Sequence, residues 1–300
     1  MKRVAFLALG LGLSSLSFAS FDLMLIADNN NVVHRVDPTN GAYLGNFALS
    51  FTPTSMVASY ATKRLYTLSG STISTYDYNN GQLLNVFGGG SNQGGLALSP
   101  DGSTLYAGNV SAGAINRVST GGTFLGAFIT GLGTNAMSLT TDTSGNLYVT
   151  NGSNAFNYTS TGTLLSTSTT PLANETASAY SYGGQGFGST LLQVSGASSY
   201  GWHILSGTSI IAPQTFSLGN MTNVQGTVSG HLGAYVMGKD SATAGLRITK
   251  LEPYPLYPST SFVMSQITSH RASAIVLAPE PGTWAALGLG ALTLLRRRKK

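Results

Sequence analysis

The sequence predicts an all-β protein whose body is built from one repeating unit of four short strands. Only 8% of the 300 residues are charged and 38 are glycine, a composition that disfavours long surface helices and favours short strands with tight turns. Strand openings of the type Leu-Tyr recur every 40 to 44 residues, and clusters of turn-forming residues recur in phase with them. A fixed period of this length indicates a repeat architecture.

The Leu-Tyr strands are the most regular part of each repeat. Three clear copies begin at Arg64, Thr104 and Asn146. Weaker copies are residues 23–26, 190–193 and 233–236. An Asp-Gly pair, best seen at Asp101-Gly102, stands before these strands and predicts a hairpin turn into each of them.

A second landmark is a turn cluster between two apolar strands. The clusters are residues 37–41, 77–81, 119–122 and 159–162. In the first three repeats the strand after the cluster ends at a phenylalanine, which is Phe47, Phe87 or Phe128. Glycine in each cluster permits positive φ, and we predict that Asp37, Asp77, Asp101 and Asp142 are turn formers rather than metal ligands.

Each period thus holds four strands, which is the content of one β-propeller blade. Residues 21–27 form a strand with no inner strand before it, and residues 272–277 read as an inner strand without partners. We expect these two segments to pair, which gives six four-stranded blades and hides the edge strands. A β-solenoid and a β-sandwich are alternatives, but solenoid rungs are shorter and a sandwich would not repeat several landmarks in phase.

The repeats resemble those of the YVTN and related lactonase-type propellers, mainly through Ser99-Pro100-Asp101-Gly102 and Leu105-Tyr106. The resemblance covers most of residues 21–278, and its motifs are degenerate after about Thr170. It implies a central channel, where hydrolytic members of the class hold a divalent cation with carboxylate, Asn and His side chains from several blades.

The N-terminus has the three parts of a secretory signal peptide. Two cations precede an apolar run over residues 4–13, and a small-x-small site ends at Ala19. We predict that signal peptidase cleaves between Ala19 and Ser20, which removes residues 1–19. A buried N-terminal helix is the alternative.

The C-terminus also has three parts. Pro279-Glu280-Pro281 is followed by an apolar run over residues 282–295 and by the basic cluster Arg296-Arg297-Arg298-Lys299-Lys300. As a helix the run would be about 21 Å long, shorter than the hydrocarbon core. It would form a short transmembrane helix if flanking residues snorkel or the bilayer thins locally. The cations would hold the end in the cytoplasm, and the prolines would keep the preceding segment extended and accessible.

These parts resemble the PEP-CTERM sorting domain of Gram-negative bacteria, over residues 279–300. The resemblance implies recognition by an exosortase, which is a transpeptidase-like membrane enzyme, then removal of the tail and release or attachment at the surface. It also implies an association with extracellular polysaccharide and biofilm. A plain membrane anchor is the alternative, and it explains the helix and the cations but not Pro279-Glu280-Pro281.

The net charge of +5 belongs to the ends of the chain. Residues 20–278, the predicted propeller, contain eight basic and nine acidic residues, so no basic patch remains for nucleic acid. There is no cysteine, which excludes disulfides, thiolate metal sites and cysteine nucleophiles.

The body offers few groups for chemistry. No HExxH, GxSxG or Walker-type motif is present, and His34, His203, His231 and His270 form no pair with metal-ligand spacing. We therefore assign no catalytic, cofactor-binding or metal-binding residue and no cofactor. The alternative is a metal-dependent hydrolase of lactonase type, which requires several of a five-residue set to converge on one cation. The set is Asp28, Asn29, Glu175, His203 and His231.

Two further features have structural explanations. The glycine-rich residues 88–90 and 183–186 are predicted to connect blades, because neither opens a helix followed by a lysine. The tyrosines at positions 76, 78, 180, 182, 254 and 257 could stack on sugars if exposed. We predict instead that they cover the core and keep a polar tip in water.

The sequence therefore predicts an exported protein, processed by signal peptidase and exosortase, that its C-terminal helix anchors transiently in the inner membrane. Its propeller is predicted to be a non-enzymatic binding or structural domain at the cell surface or outside the cell, with extracellular polysaccharide as a candidate partner.

Overall fold

The computed structural model describes residues 22–89, 93–135, 137–152, 154–169, 177–181, 190–194, 199–206, 209–230, 233–251 and 258–276. The predicted signal peptide, the sorting segment and its short transmembrane helix lie outside these residues. In the described part the only helical segment is a 3-10 turn at Val110–Ala112, and no helix there is long and apolar enough to cross a membrane.

The described residues form 24 strands, which pair into six four-stranded antiparallel sheets. Sheet 1 contains β1 (Leu23–Ala27), β2 (Val32–Val36) and β3 (Tyr43–Ala48). Sheet 2 contains β4 (Ser55–Ser59), β5 (Arg64–Ser69), β6 (Thr72–Asp77) and β7 (Leu83–Gly88). Sheet 3 contains β8 (Gln93–Leu98), β9 (Thr104–Asn109), β10 (Ala114–Ser119) and β11 (Phe124–Ile129).

Sheet 4 contains β12 (Met137–Thr141), β13 (Leu147–Asn151), β14 (Asn154–Tyr158) and β15 (Leu164–Thr169). Sheet 5 contains β16 (Ala177–Ser181), β17 (Thr190–Val194), β18 (Ser199–Ser206) and β19 (Ser209–Ser217). Sheet 6 contains β20 (Met221–Gly230), β21 (Gly233–Asp240), β22 (Leu246–Leu251) and β23 (Pro258–Met264). The last strand, β24 (Ala272–Val276), is the fourth strand of sheet 1.

Sheet 1 is completed from both ends of the chain. β24 pairs with β1 over five residues, from Leu23 opposite Val276 to Ala27 opposite Ala272. The N–H of Arg271 extends the pairing by donating to the Ala27 carbonyl at 2.8 Å. The pairing of the terminal strands was predicted because each lacks a neighbour in sequence, and the structure confirms it.

The sheets form a propeller-like arrangement. The inner strands β24, β4, β8, β12, β16 and β20 contact one another in this order, and β20 contacts β24. Hydrogen bonds join neighbouring inner strands, such as Leu96 N to Ser55 Oγ at 3.0 Å and Thr141 Oγ1 to the Leu98 carbonyl at 2.7 Å.

Hydrophobic clusters fill the spaces between sheets and explain the Leu-Tyr repeat. Successive side chains of a strand point to opposite faces of its sheet. Leu65 packs in a cluster with residues of sheet 1, whereas Tyr66 packs in a cluster with Leu105 of sheet 3. One sheet further on, Leu105 points back to sheet 2 and Tyr106 forward to sheet 4. The second strand of these sheets is therefore apolar on both faces.

The glycines of the turns pack against the phenylalanines in the outer strands of the neighbouring sheets. A Cβ atom on the glycine would come within 2.5 to 3.2 Å of a phenylalanine in the preceding sheet. The pairs are Gly81 with Phe47, Gly122 with Phe87, Gly162 with Phe128, and Gly41 with Phe262. The last pair makes the contact between sheet 6 and sheet 1.

Candidate functional site

The chain leaves the described sheets at Val276, the last residue of β24. Val276 is only 2% exposed, and it packs with Ala272, Ala274 and Leu25 in one hydrophobic cluster. Pairing with β1 and packing in the core therefore fix β24 as far as its last residue, Val276.

Four aspartates form turns, as predicted. Each carboxylate accepts a hydrogen bond from the backbone N–H two residues further on, which is the Asx-turn arrangement. The pairs are Asp37 with Thr39 at 2.8 Å, Asp77 with Asn79 at 2.8 Å, Asp101 with Ser103 at 3.1 Å, and Asp142 with Ser144 at 2.9 Å. Hydrogen bonds from the Ser99 hydroxyl and from Ser103 hold the pKa of Asp101 below its usual range.

Asp28 lies in a buried network at the turn between β1 and β2. Its Oδ1 accepts the N–H groups of Asn30 and Val32, both at 2.9 Å, and its Oδ2 lies 3.3 Å from His34 Nε2. His34 Nδ1 lies 3.2 Å from the Tyr43 hydroxyl. Burial alone would raise the pKa of Asp28, but these backbone hydrogen bonds and His34 hold it below its usual range. Both carboxylate oxygens are thus engaged within sheet 1.

The described part of the structure does not assemble the ligands that the hydrolase alternative requires. Asn29 adjoins Asp28, and its N–H donates to Ser269 Oγ at 3.1 Å. His203 lies in β18, while Glu175 and His231 lie outside the described residues. No three His, Cys, Asp or Glu side chains in the described part are close enough to bind a metal ion together.

The inner strands are electrically neutral. Within the bounds given above, β4, β8, β12, β16, β20 and β24 contain no Asp, Glu, His, Lys or Arg. Several inner-strand hydroxyl residues are half-buried, namely Ser55, Ser138, Thr140 and Ser273. By sequence the inner strands therefore contain no strong acid or base, and their half-buried positions include these hydroxyl groups.

A polar depression of about 350 Å³ lies where sheet 5 meets sheet 6. It is lined by Ser217, Leu218, Gly219, Asn220, Thr249, Thr260 and Ser261. Thr249 is 2% exposed, and its Oγ1 has no hydrogen-bond partner in the described residues. The nearby Arg247 donates to Ser261 Oγ at 2.8 Å and is paired with Asp240 at 2.5 Å. An uncharged ligand with hydroxyl groups suits this lining better than an ion.

His270 is a buried histidine to which we assigned no role from the sequence. It lies on the connection from β23 to β24, and its ring packs against Gly226 of β20. Neither ring nitrogen has a hydrogen-bond partner among the described residues. Burial lowers the pKa of His270 to about 4, so the ring is neutral at pH 7. Only the tertiary structure reveals this environment.

Of the six tyrosines considered as sugar-stacking candidates, the two that the structure describes in full, Tyr76 and Tyr78, are buried in the core. Tyr76 is 1% exposed and its hydroxyl accepts the Ser50 N–H at 3.1 Å. Tyr78 is also buried, and burial raises its pKa. For these two residues the predicted core role is confirmed, but the prediction of a polar tip in water is wrong for Tyr76, whose hydroxyl is buried and bonded to Ser50. Tyr180 lies in β16, and Tyr182, Tyr254 and Tyr257 lie outside the described residues.

Gly89 lies in the connection from sheet 2 to sheet 3, as predicted, whereas Gly88 is the last residue of β7 and Gly90 lies outside the described residues. Residues 183–186, the second glycine-rich segment, lie outside the described part of the chain.

Residues 277–299 match the family described as the PEP-CTERM protein-sorting motif. The chain carries a PEP-CTERM sorting motif. The match includes Pro279-Glu280-Pro281 and the first four cations of the basic cluster, and it begins at the residue after β24. A PEP-CTERM motif indicates an exported, exosortase-targeted protein that is anchored transiently at the membrane.

Solved structures similar to this chain support the propeller fold. A chain of a nidogen/laminin complex has a TM-score of 0.68 and 14% identity, covering 85% of this chain and 98% of its own length. A Bacteroides caccae protein of unknown function has a TM-score of 0.60 and 12% identity, covering 86% and 99%. A putative 6-phosphogluconolactonase from Bacteroides fragilis has a TM-score of 0.55 and 15% identity, covering 83% of each chain.

At these identities the similarity concerns the fold alone, and the propeller body is in this sense lactonase-like. No curated protein sequence gives a significant match to the chain.

Proposed function

We propose that this PEP-CTERM protein is a cell-surface or extracellular protein whose propeller binds or packs within an exopolysaccharide matrix and has no catalytic role. The observation that carries the proposal is the position of the sorting motif, which begins at residue 277, directly after the strand that completes sheet 1. A finished β domain therefore precedes a tail that can be removed.

In this proposal, signal peptidase cleaves between Ala19 and Ser20, and residues 20–278 form the propeller. Exosortase recognises Pro279, Glu280 and Pro281 while residues 282–295 span the inner membrane as a short helix. The basic cluster, residues 296–300, stays on the cytoplasmic side because lysine and arginine resist translocation.

Two features of the body favour a binding role over catalysis. The inner strands carry no acidic or basic side chain, whereas general acid–base or metal-assisted hydrolysis needs such groups close to the substrate. The depression around Thr249 is neutral and rich in hydroxyl groups, which suits a polar, uncharged ligand such as a sugar unit.

We also infer that the six sheets are the six blades of one closed ring. Support comes from the contact of β20 with β24 and from the packing of Phe262 against Gly41. A hydrophobic cluster that contains Met24 of sheet 1 and Tyr235 of sheet 6 fills the space between these sheets.

Mass spectrometry of the exported protein from exosortase-containing cells tests the sorting proposal. We expect a chain that begins at Ser20 and ends near Pro281. A P279A/E280A/P281A variant should keep its C-terminus through Lys300, while Thr283→Ala, a neighbouring change outside the Pro-Glu-Pro, should be processed normally. An intact C-terminus in the unaltered protein would support the plain membrane anchor instead.

The hydrolase of lactonase type is the competing function. It predicts that removal of calcium with a chelator lowers the melting temperature, and that the protein hydrolyses lactones in a manner that depends on Asp28. We expect neither effect, because the Asp28 carboxylate is engaged by Asn30, Val32 and His34.

A further inference from the structure

Ten large apolar side chains are exposed in the described residues, and four of them, Phe51, Tyr60, Val86 and Val263, lie at scattered positions. The other six lie at one repeated place, the beginning of the outer strands β3, β7, β11 and β15. They are Leu44, Leu83, Leu84, Phe124, Leu125 and Leu164, each between 41% and 56% exposed. We refer to these six residues as the apolar rim. They follow the turn clusters, so their positions repeat with the period of the sheets.

Such exposure is unusual for an outer strand. The free edge of a sheet invites pairing with other chains, and proteins commonly protect it with charged residues. Here four edge strands instead present leucine and phenylalanine at equivalent positions. A repeated apolar surface of this kind indicates an interaction site.

Strand registers place the apolar rim at the edge of the sheets from which the tail departs. In sheet 1 the aligned residues are Ile275, Met24, Val36 and Tyr43, one from each strand. Leu44 thus lies at the edge where β24 ends and the chain continues to residue 277. In sheet 3 the aligned residues are Leu98, Leu105, Val118 and Phe124.

Neighbouring sheets share this orientation. In sheets 2, 3 and 4 the glycine of the turn before the outer strand contacts the phenylalanine of the outer strand in the preceding sheet. Because this contact is the same between each pair of neighbours, the rim residues of sheets 1 to 4 lie on one side of the arrangement. The described residues at this edge include four aspartates, Asp37, Asp77, Asp101 and Asp142. They also include three cations, Lys63, Arg64 and Arg35, whose guanidinium donates to the Asn79 carbonyl in the turn after β6. The edge therefore has no excess of positive charge for anionic lipids.

We propose that the apolar rim rests against the outer surface of the lipid bilayer while the tail is anchored in it. The anchor itself belongs to the function proposed above. Only residues 277–281 separate β24 from the apolar run of the tail, and five extended residues span at most about 18 Å. This short tether holds leucine and phenylalanine side chains near the interface, where apolar side chains leave water favourably.

Because the contact is apolar rather than electrostatic, it should form on zwitterionic phosphatidylcholine vesicles and persist at high salt. Removal of the tail by exosortase then frees the apolar rim from the membrane.

The absence of cysteine allows a direct test with single-cysteine variants of the full chain. Leu125→Cys in the rim and Ser111→Cys, an exposed position at the opposite end of sheet 3, each receive a fluorescent dye. The proteins are reconstituted in phosphatidylcholine vesicles with a spin-labelled acyl chain as quencher. We expect several-fold stronger quenching at position 125 than at 111, and a similar result for Leu84→Cys.

Equal quenching at positions 125 and 111 would overturn the proposal. Shielding of position 125 that depends on protein concentration but not on vesicles would also overturn it, because a second copy of the chain would then cover the rim. Failure of tail processing is measured separately by mass spectrometry and leaves this test unaffected.

Discussion

Gly81 ends the turn between β6 and β7 with a φ of +77°, and Phe47 of the preceding sheet occupies the space where a side chain would stand. Two separate requirements therefore exclude a Cβ at this position. Gly70 also has positive φ, at +56°, but no atom lies within 4 Å of the position that a Cβ would take there. Comparing substitutions at these two glycines therefore distinguishes the cost of backbone strain from the cost of disturbing the packing between sheets.

We predict that Gly81→Ala lowers the free energy of unfolding by about 2–4 kcal/mol, because strain from positive φ adds to overpacking against Phe47. Gly70→Ala should cost only about 1 kcal/mol, from the backbone term alone. Urea unfolding of the two variants measures the difference. Equal losses would show that the contact between Gly81 and Phe47 contributes nothing to stability.

His270 makes the stability depend on pH. Its pKa is lowered to about 4 by burial, while a histidine in the unfolded chain titrates near pH 6.5. Between these pH values the unfolded chain binds more protons, so stability falls as the pH is lowered from about 6.5 to 4.

The loss from this one residue is expected to reach about 3 kcal/mol. His270→Leu should remove most of this slope, as followed by urea unfolding at pH 7 and pH 4.5. An unchanged slope would mean that His270 has the same pKa in the folded and the unfolded chain.

At the scale of secondary structure, the second strand of each sheet has a double packing role. Leu65 and Tyr66 are both fully buried, yet they belong to different hydrophobic clusters on opposite faces of sheet 2. The first and last strands, β1 and β24, are far apart in sequence but pair with each other in sheet 1. Because the chain between them forms all of sheets 2 to 6, this pairing joins the beginning and the end of the described fold.

An engineered disulfide tests the pairing of β1 with β24. Leu23 and Val276 face each other, so L23C/V276C should oxidise readily and raise the free energy of unfolding by about 4 kcal/mol, because it closes a loop of most of the chain. In L23C/I275C the second cysteine points to the other sheet face and should not form the bond. Failure of the first pair to oxidise would contradict the register.

At the scale of the whole molecule, the described fold is complete before the sorting motif begins. β24 ends at Val276 and the motif begins at residue 277. Tail removal therefore need not disturb the strand that completes sheet 1.

We predict that a chain truncated after Ala278 keeps the melting temperature of the exported protein. Truncation after Arg271, only seven residues earlier, removes β24 and exposes Leu25 and Ala27 of the core. This second chain should lose cooperative unfolding in a thermal scan followed by circular dichroism. Equal melting of both chains would show that β24 is dispensable.

Much of the fold could be predicted from local patterns. Alternating strands, turn glycines and the period of 40 to 44 residues depend on neighbours along the chain, and they indicated the repeating four-stranded unit. The turn roles of Asp37, Asp77, Asp101 and Asp142 were also predictable, since an Asx turn needs only residues two positions apart.

The candidate site was less predictable, because its properties depend on residues far apart in sequence. No local pattern indicates that His270 packs against Gly226, that Thr249 Oγ1 is left without a partner among the described residues, or that Asp28 is held by His34. The aligned apolar rim likewise emerges only from the registers of four separate sheets.

The sequence by itself determined the repeating unit, the turns and the destination of the chain, because hydrophobic periodicity, positive φ and a linear sorting motif are all local properties. Tertiary structure alone decided which sheet each Leu and Tyr faces, how β24 and β1 meet, and which apolar residues stay exposed. These outcomes depend on which side chains from distant parts of the chain pack against one another, and that packing exists only once the sheets have assembled.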